Sequence, residues 1–310
     1  MRIGMIGLGR MGGNMTRRLA RAGIEVVGYG RQPDAAAAFA GVANVTIAAS
    51  RAAQLAALAP PRIVWVMVPA GAATTETVAA LGDELARGDL VVDGGNSYYR
   101  DSQRHAAALA GRGIGFVDAG VSGGVWGLEH GYGLMVGGAR EHVAAVLPLL
   151  RALAPAPDRG WVHCGPPGSG HYTKMIHNGI EYGMMQAYAE GLALLREKRD
   201  FALDLGAIAE AWRHGTVIRS WLLDLTAEFL RADAKLEDIA PTVADSGEGR
   251  WTSQEAVELG VPAPVITTAL MMRFASQGRG DFAARVLAMM RKSFGGHPVA
   301  GGRGSDRTSG

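Results

Sequence analysis

A single cysteine, Cys164, is all that this 310-residue chain contains, which excludes an internal disulfide framework and any multi-cysteine metal site. An excess of one charge is also missing: 31 lysines and arginines stand against 29 aspartates and glutamates, a formal charge of +2. A general nucleic-acid binder needs a strong basic field to neutralise phosphates, so that class drops out. No run approaches the roughly 18 unbroken apolar residues of a membrane span. The N-terminus enters a strand pattern at once, Met1-Arg2-Ile3-Gly4-Met5-Ile6-Gly7, with no signal peptide ahead of it. These absences set the expectation of a soluble, cytoplasmic, metal-free protein from a reducing compartment. What is present is enough apolar sequence to bury a large core: 48% of residues are hydrophobic and only 19% charged, over a length that suits two domains.

The first half alternates. Short apolar runs at Arg2–Gly7, Glu25–Tyr29, Arg62–Val68, Asp89–Asp93 and Gly115–Val121 read as strands, and alanine-rich stretches such as Met11–Ala22, Ala73–Ala86 and Ser102–Ala110 read as helices between them. This pattern predicts a parallel α/β sheet of the Rossmann type, with ligands at the carboxyl ends of its strands. Glycine-rich and polar clusters fall at those ends: Gly7–Gly13, Val68–Gly71, Asp93–Ser97 and Ser122–Gly124. The pattern breaks near Gly165-Pro166-Pro167-Gly168-Ser169-Gly170, and helical patterns dominate from there. The expected organisation is a dinucleotide-binding domain over 1–167, an all-helical substrate and dimerisation domain over 168–300, and a flexible tail over 301–310.

Gly7-Leu8-Gly9-Arg10-Met11-Gly12 follows a strand and opens a helix. The first glycine permits a tight turn, the second lets backbone approach a pyrophosphate, and the third allows close helix packing. The helix terminus then offers amide donors and a positive dipole to the anion. An acid at the end of the second strand would select NAD by bonding its ribose hydroxyls. This chain reads Val27-Gly28-Tyr29-Gly30-Arg31-Gln32, and Asp34 comes a turn too late, after Pro33. Arg31 suits a 2′-phosphate. The expected cofactor is therefore NADP, with NAD open.

The segment Lys174-Met175-Ile176-His177-Asn178-Gly179-Ile180-Glu181-Tyr182 carries a polar stripe. Lys174, His177, Asn178, Glu181 and Tyr182 fall within an arc of roughly 140° on a helix. A solvated face would look similar. Against it, the same face continues as Met185, Tyr188 and Ala189, apolar enough to expect burial. Gly179 and Gly183 cost helix stability, which close packing of another backbone or a ligand would explain. A desolvated lysine can lose its proton near neutrality and act as a base toward a hydroxyl. Glu181, two turns on, could act as a separate acid. Hydride transfer alone needs only the base, so the pair suggests a second proton-transfer step.

These residues resemble the 6-phosphogluconate dehydrogenases, in their short form, over nearly the whole chain. The opening GLGRMGGNM, the loop Asp93-Gly94-Gly95-Asn96-Ser97, the turn Val121-Ser122-Gly123-Gly124 and the run KMIHNGIEYGMMQ carry the resemblance. It implies that Lys174 takes the C3 hydroxyl proton and that Glu181 protonates C1 of the enediol left after CO2 departs. By the same resemblance Asn96, Ser122, Gly123 and Gly124 cradle the carboxylate and sugar hydroxyls, His177 and Asn178 orient C3, and Tyr182 and Arg273 reach the phosphate. Val68, Ala70 and Asn96 would join the glycine loop around the cofactor. Arg291 and His297, in Arg291-Lys292-Ser293-Phe294-Gly295-Gly296-His297, resemble a segment lent by a neighbouring subunit, which implies a homodimer or homotetramer.

The stretch Asp245-Ser246-Gly247-Glu248-Gly249-Arg250-Trp251-Thr252 departs from the family. Ser246 stands where the resemblance places a lysine and Glu248 where it places a threonine, both phosphate-holding. An acid beside a phosphate costs affinity unless it turns away or pairs with a cation such as Arg250. Pro69 stands where the resemblance often places a lysine beside the cofactor, a smaller departure. Two alternatives stay open at this stage. One is a non-decarboxylating NAD(P)-dependent β-hydroxyacid dehydrogenase of the 3-hydroxyisobutyrate or tartronate semialdehyde type. The other is a dinucleotide-binding subunit without turnover, which gives no reason for the stripe.

Overall fold

The computed structural model describes residues 1–31 and 37–295. The chain divides into two compact units, one over Met1–Asn178 and one from Gly179 onward.

The first unit is built on strands β1 (Arg2–Ile6), β2 (Glu25–Tyr29), β3 (Val45–Ile47), β4 (Ile63–Val66), β5 (Leu90–Asp93), β6 (Gly115–Ser122), β7 (Gly133–Gly138) and β8 (Trp161–Gly165). Its helices are α1 (Arg10–Arg21), α2 (Arg51–Ala56), α3 (Ala72–Glu84), α4 (Tyr99–Ala110), α5 (Gly127–His130), α6 (Arg140–Leu153) and the first turns of α7 (Ser169–Glu197). The strands form one sheet in the order β3-β2-β1-β4-β5-β6-β7-β8. Every described neighbour pair is parallel except β6 and β7, which run antiparallel.

Helices cover both faces, so successive strand residues feed two different cores. Ile3, Met5, Val26, Trp65, Val92 and Val117 join Met15 and Leu19 of α1 and Leu149 and Leu150 of α6. Ile6, Val27, Val64, Val66, Val91 and Phe116 join Val78 and Leu81 of α3 and Leu109 of α4. Both sets are buried, which is why these strands read as unbroken apolar runs rather than alternating ones.

The sheet corrects the sequence expectation in two respects. It has three strands beyond the five expected, and it is not wholly parallel. β3 has only three residues, β7 (Gly-Leu-Met-Val-Gly-Gly) is half glycine, and β8 contains His163 and Cys164. β3 is too short and β7 too rich in glycine to stand out as strands by themselves, and they extend because a neighbour offers a ladder. Strand order reverses at β1 and β4, and the chain ends beyond those strands are where the polar clusters lie.

Among its described residues the second unit holds helices joined by loops, with no strand: the rest of α7, then α8 (Leu205–Trp212), α9 (Trp221–Ala232), α10 (Glu248–Leu259), α11 (Pro264–Ser276) and α12 (Asp281–Gly295). Asp204 and Ser220 cap α8 and α9 by accepting from Ala207 N–H at 3.0 Å and Leu223 N–H at 3.1 Å. Pro264 starts α11 with its fixed φ. Leu205, Ala209, Leu223, Ala227 and Leu230 form one core, and Tyr182, Ala269 and Leu270 a second. No helix among the described residues is long and apolar enough to cross a membrane.

Candidate active site

At the carboxyl ends of β1 and β4 the three loop glycines meet three different demands. Gly7 has φ +94°, and a Cβ there would overlap the carbonyl oxygen of Met67. A Cβ on Gly12 would strike the Gly7 carbonyl and come within 2.9 Å of Met67 Cβ. Gly9 differs: its backbone is ordinary extended chain (φ −64°, ψ −171°), and a Cβ there would find nothing within 4 Å. Neither conformation nor internal packing requires glycine at that position, and the space beside it is open. Helix α1 begins beside it with no capping side chain and no acid in its first turn. An open cradle at the positive end of a helix fits a dinucleotide pyrophosphate.

Other candidate cofactor residues surround this loop. The Leu8 side chain is buried in the core, Arg10 is exposed and Met11 half-buried. Arg31 is exposed two residues past β2; beyond β4, Val68 is half-buried and Ala70 exposed. The loop after β5 packs against the same strand ends. A Cβ on Gly94 would overlap the Trp65 indole, and one on Gly95 would sit 3.1 Å from the Val68 carbonyl. Asp93, fully buried, holds this loop by accepting the Gly95 N–H at 3.0 Å, and Asn96 emerges from it exposed.

A second cluster lies where β6 ends and α7 begins. Gly123 and Gly124 have φ +123° and +52°, so the turn after Ser122 needs glycine at both. Lys174 is only 7% exposed, and its stem lies on Gly120, where any Cβ would overlap it. Its Nζ donates to Asn178 Oδ1. His177 Nδ1 lies 3.0 Å from the same oxygen. An amide oxygen only accepts, so Nδ1 carries the proton there, and Nε2 lies 3.5 Å from the Ser122 hydroxyl. Four sequence candidates, Ser122, Lys174, His177 and Asn178, are thus joined in one network. Asp118, which the sequence reading missed, accepts two backbone N–H groups at the start of α7. Its signal was an acid inside the apolar run Phe116-Val117-Asp118-Ala119.

In the second unit, Glu181 is half-buried and Tyr182 only 5% exposed. The glycines on either side pack tightly, against side chains rather than the backbone or ligand expected: a Cβ on Gly179 would lie 2.7 Å from Thr252 Cγ2, and one on Gly183 3.2 Å from Val265 Cγ1. The expected burial further along the face holds only in part: Tyr188 is half-buried against the core of Leu205, Leu223 and Leu230, but Met185 is 40% exposed and Ala189 exposed.

Ser246 and Glu248 form a chain with Tyr182. The Ser246 hydroxyl donates to Glu248 Oε2 at 2.7 Å, so at 3.2 Å it accepts from the Tyr182 hydroxyl. Glu248 is 3% exposed and turned inward. Arg250 Nη2 donates to Asp245 at 2.7 Å. Burial works against the Asp245 charge, but hydrogen bonds from Arg250 and from the Gly247 N–H outweigh it and hold this carboxyl below its ordinary range. Arg273 lies 3.4 Å above the Tyr182 ring centroid and donates to the Ala244 carbonyl at 2.7 Å. Arg291 is exposed on α12, and His297 lies outside the described residues. Among the described residues no group of three or more histidine, cysteine or acidic side chains is placed to hold a metal ion.

Comparison with known proteins gives a consistent result. A family model described as the NAD binding domain of 6-phosphogluconate dehydrogenase matches residues 2–165. A second, described as 6-phosphogluconate dehydrogenase, C-terminal domain, matches residues 170–296. The NAD(+)-dependent, decarboxylating 6-phosphogluconate dehydrogenase of Haloferax volcanii is 44% identical over 301 residues, covering 97% of this chain and 99% of that one. The NADP(+)-dependent, decarboxylating enzyme of Bacillus subtilis is 37% identical, with 88% of this chain matched to 61% of a longer one. Among solved structures, Plasmodium falciparum 6-phosphogluconate dehydrogenase aligns with a TM-score of 0.82 at 26% identity, covering 99% of this chain and 67% of that one. A Mycobacterium tuberculosis 3-hydroxyisobutyrate dehydrogenase, 22% identical with a TM-score of 0.68, shares the fold.

Proposed function

The chain belongs to the 6-phosphogluconate dehydrogenase family, and from that membership we propose that it oxidises and decarboxylates 6-phosphogluconate to ribulose 5-phosphate and CO2 with NAD(P)+. The observation that carries the residue assignment is Lys174, a buried amine hydrogen-bonded to Asn178 beside Ser122 and His177.

Lys174 accepts the proton of the C3 hydroxyl as that carbon becomes a carbonyl. A nicotinamide dinucleotide held at the Gly7–Gly12 loop would supply the acceptor for the C3 hydride. The resulting β-keto acid breaks its bond to the carboxylate, CO2 leaves, and the electron pair moves into the adjacent carbonyl. Lys174, now an ammonium, donates to the developing oxyanion at C3. Glu181 delivers a proton to C1 of the enediol and completes the ketose. Asn96, Ser122, Gly123 and Gly124 cradle the carboxylate and hydroxyls; His177 and Asn178 orient C3. The Tyr182 hydroxyl is engaged with Ser246 and the Glu248 carboxylate lies next in that chain, so the phosphate grip falls mainly on Arg273. The non-decarboxylating alternative is not favoured, since the relative matched end to end is a decarboxylating enzyme.

The exposed Arg31 supports NADP as the better cofactor. Exposed apolar residues on α12, Phe282 at 77% and Leu287 at 62%, support a homo-oligomer in which a second copy covers that helix and brings Arg291 and His297 to its neighbour. The test is turnover of 6-phosphogluconate with NAD and with NADP, following reduced nicotinamide and CO2 together. One CO2 per reduced cofactor is expected; reduction without CO2 would overturn the reading. Arg31→Asp is expected to raise KM for NADP by about tenfold, the loss of about 1.4 kcal/mol, and leave NAD unchanged. Unaltered NADP preference would remove that role from Arg31, and a monomer by light scattering would remove the lent residues.

A further inference from the structure

We infer that Asp118 is a positioning residue that sets the register of Lys174 against the substrate loop, an inference that rests on the reading of Lys174 as the base. Asp118 lies in the middle of β6 between Val117 and Ala119, and all three are 0% exposed. A carboxylate buried there is costly unless its oxygens are filled. Both are: Gly168 N–H donates to Oδ1 at 2.6 Å and His171 N–H to Oδ2 at 2.8 Å.

These are the residue before α7 and the third residue within it. In a capping box the helix's own side chains satisfy that pair of donors. Here neither can, since Gly168 has no side chain and the His171 ring is turned to Ser102, with Nδ1 2.7 Å from its hydroxyl. One carboxylate from a sheet strand does both jobs, and its charge lies at the positive end of the helix. The approach is backbone to backbone: a Cβ on Gly170 would lie 2.6 Å from the Asp118 carbonyl and 2.6 Å from Gly137 N.

Asp118, Gly120 and Ser122 share one face of β6 by the two-residue strand period, and His171, Lys174 and His177 follow at helical steps of three. Asp118 meets the His171 backbone, Gly120 meets the Lys174 stem, and Ser122 meets His177. The three contacts act as rungs between strand and helix. The second is a van der Waals contact and the third a hydrogen bond at the limit of length. Only the first has two short charge-assisted bonds, so it sets where the other two fall.

Asp118→Asn keeps the shape but turns one acceptor into a donor facing an N–H. It is expected to lower kcat by about 100-fold, the order that a 1 Å misplacement costs, with cofactor affinity within about twofold of wild type. The kinetic isotope effect with substrate deuterated at C3 should rise, because chemistry slows while binding does not. Asp89→Asn is the structural control. Asp89 is 1% exposed and accepts Arg62 N–H at 2.6 Å and Ala86 N–H at 2.9 Å, at the amino end of β5. It should lose thermal stability comparably yet keep kcat. If Asp118→Asn does not fold, Asp118→Glu, with its charge kept and its carboxylate displaced, should show the same split. An unchanged kcat in the Asp118 variant, or an equal kcat loss in Asp89→Asn, would overturn the inference. Lys174→Met, measured alongside, separates the two readings. If it is inactive while the Asp118 variant is unimpaired, only the positioning role fails; if it is active, the base assignment fails as well.

Discussion

Lys174→Met is expected to lower kcat by about 10²–10⁴-fold, the range that a positioned general base supplies, and to abolish the first-turnover burst of reduced nicotinamide. Methionine has nearly the length of the lysine stem, so it can keep the packing against Gly120. Asn178 Oδ1 retains the His177 proton as a partner. What disappears is the amine. Glu181→Gln should differ in kind. Its proton is needed only after CO2 has left, so the first reduction of nicotinamide should persist while steady-state turnover falls by about 10²-fold or more. Stopped-flow absorbance of the reduced nicotinamide reads both variants. A wild-type burst in Lys174→Met, or full steady-state turnover in Glu181→Gln, would refute the corresponding role.

The second large effect contrasts two glycines of the dinucleotide loop. Gly9→Ala adds a methyl where nothing of the protein lies within 4 Å, on a backbone that any residue adopts. Its melting temperature should match wild type, yet dinucleotide affinity should fall by tenfold or more, about 1.4 kcal/mol at least. Gly12→Ala adds the same methyl against the Gly7 carbonyl. Overpacking of that kind costs about 1–3 kcal/mol, so stability and affinity should fall together. Calorimetric titration beside thermal unfolding checks the pair. A Gly9→Ala protein that binds NAD and NADP like wild type would mean that the cradle is not where the pyrophosphate sits.

The loop was legible because all its constraints are local: a strand, a turn needing positive φ and a helix follow one another within a dozen residues. The polar stripe was legible for the same reason, since helical periodicity alone places Lys174, His177 and Asn178 together. Met185 and Ala189 were misjudged because a helix face is buried only as far as another element extends over it. Arg250 was offered to Glu248 on sequence proximity, and across the turn at Gly247 it pairs with Asp245. The antiparallel β7 has no signature of its own, since half its residues are glycine and its direction depends on pairing with β6.

By itself the amino-acid order determined the things that depend on short-range geometry: the glycine turn, the alternation of strand and helix, and the spacing of amine, imidazole and amide on α7. Tertiary structure alone decided which strand carboxylate caps that helix, why Gly120 has no side chain beneath Lys174, and why Tyr182 carries Arg273 on its face. Those contacts join residues tens of positions apart, and no local propensity can specify them, because each exists only once the sheet and helices have brought both partners to the same place.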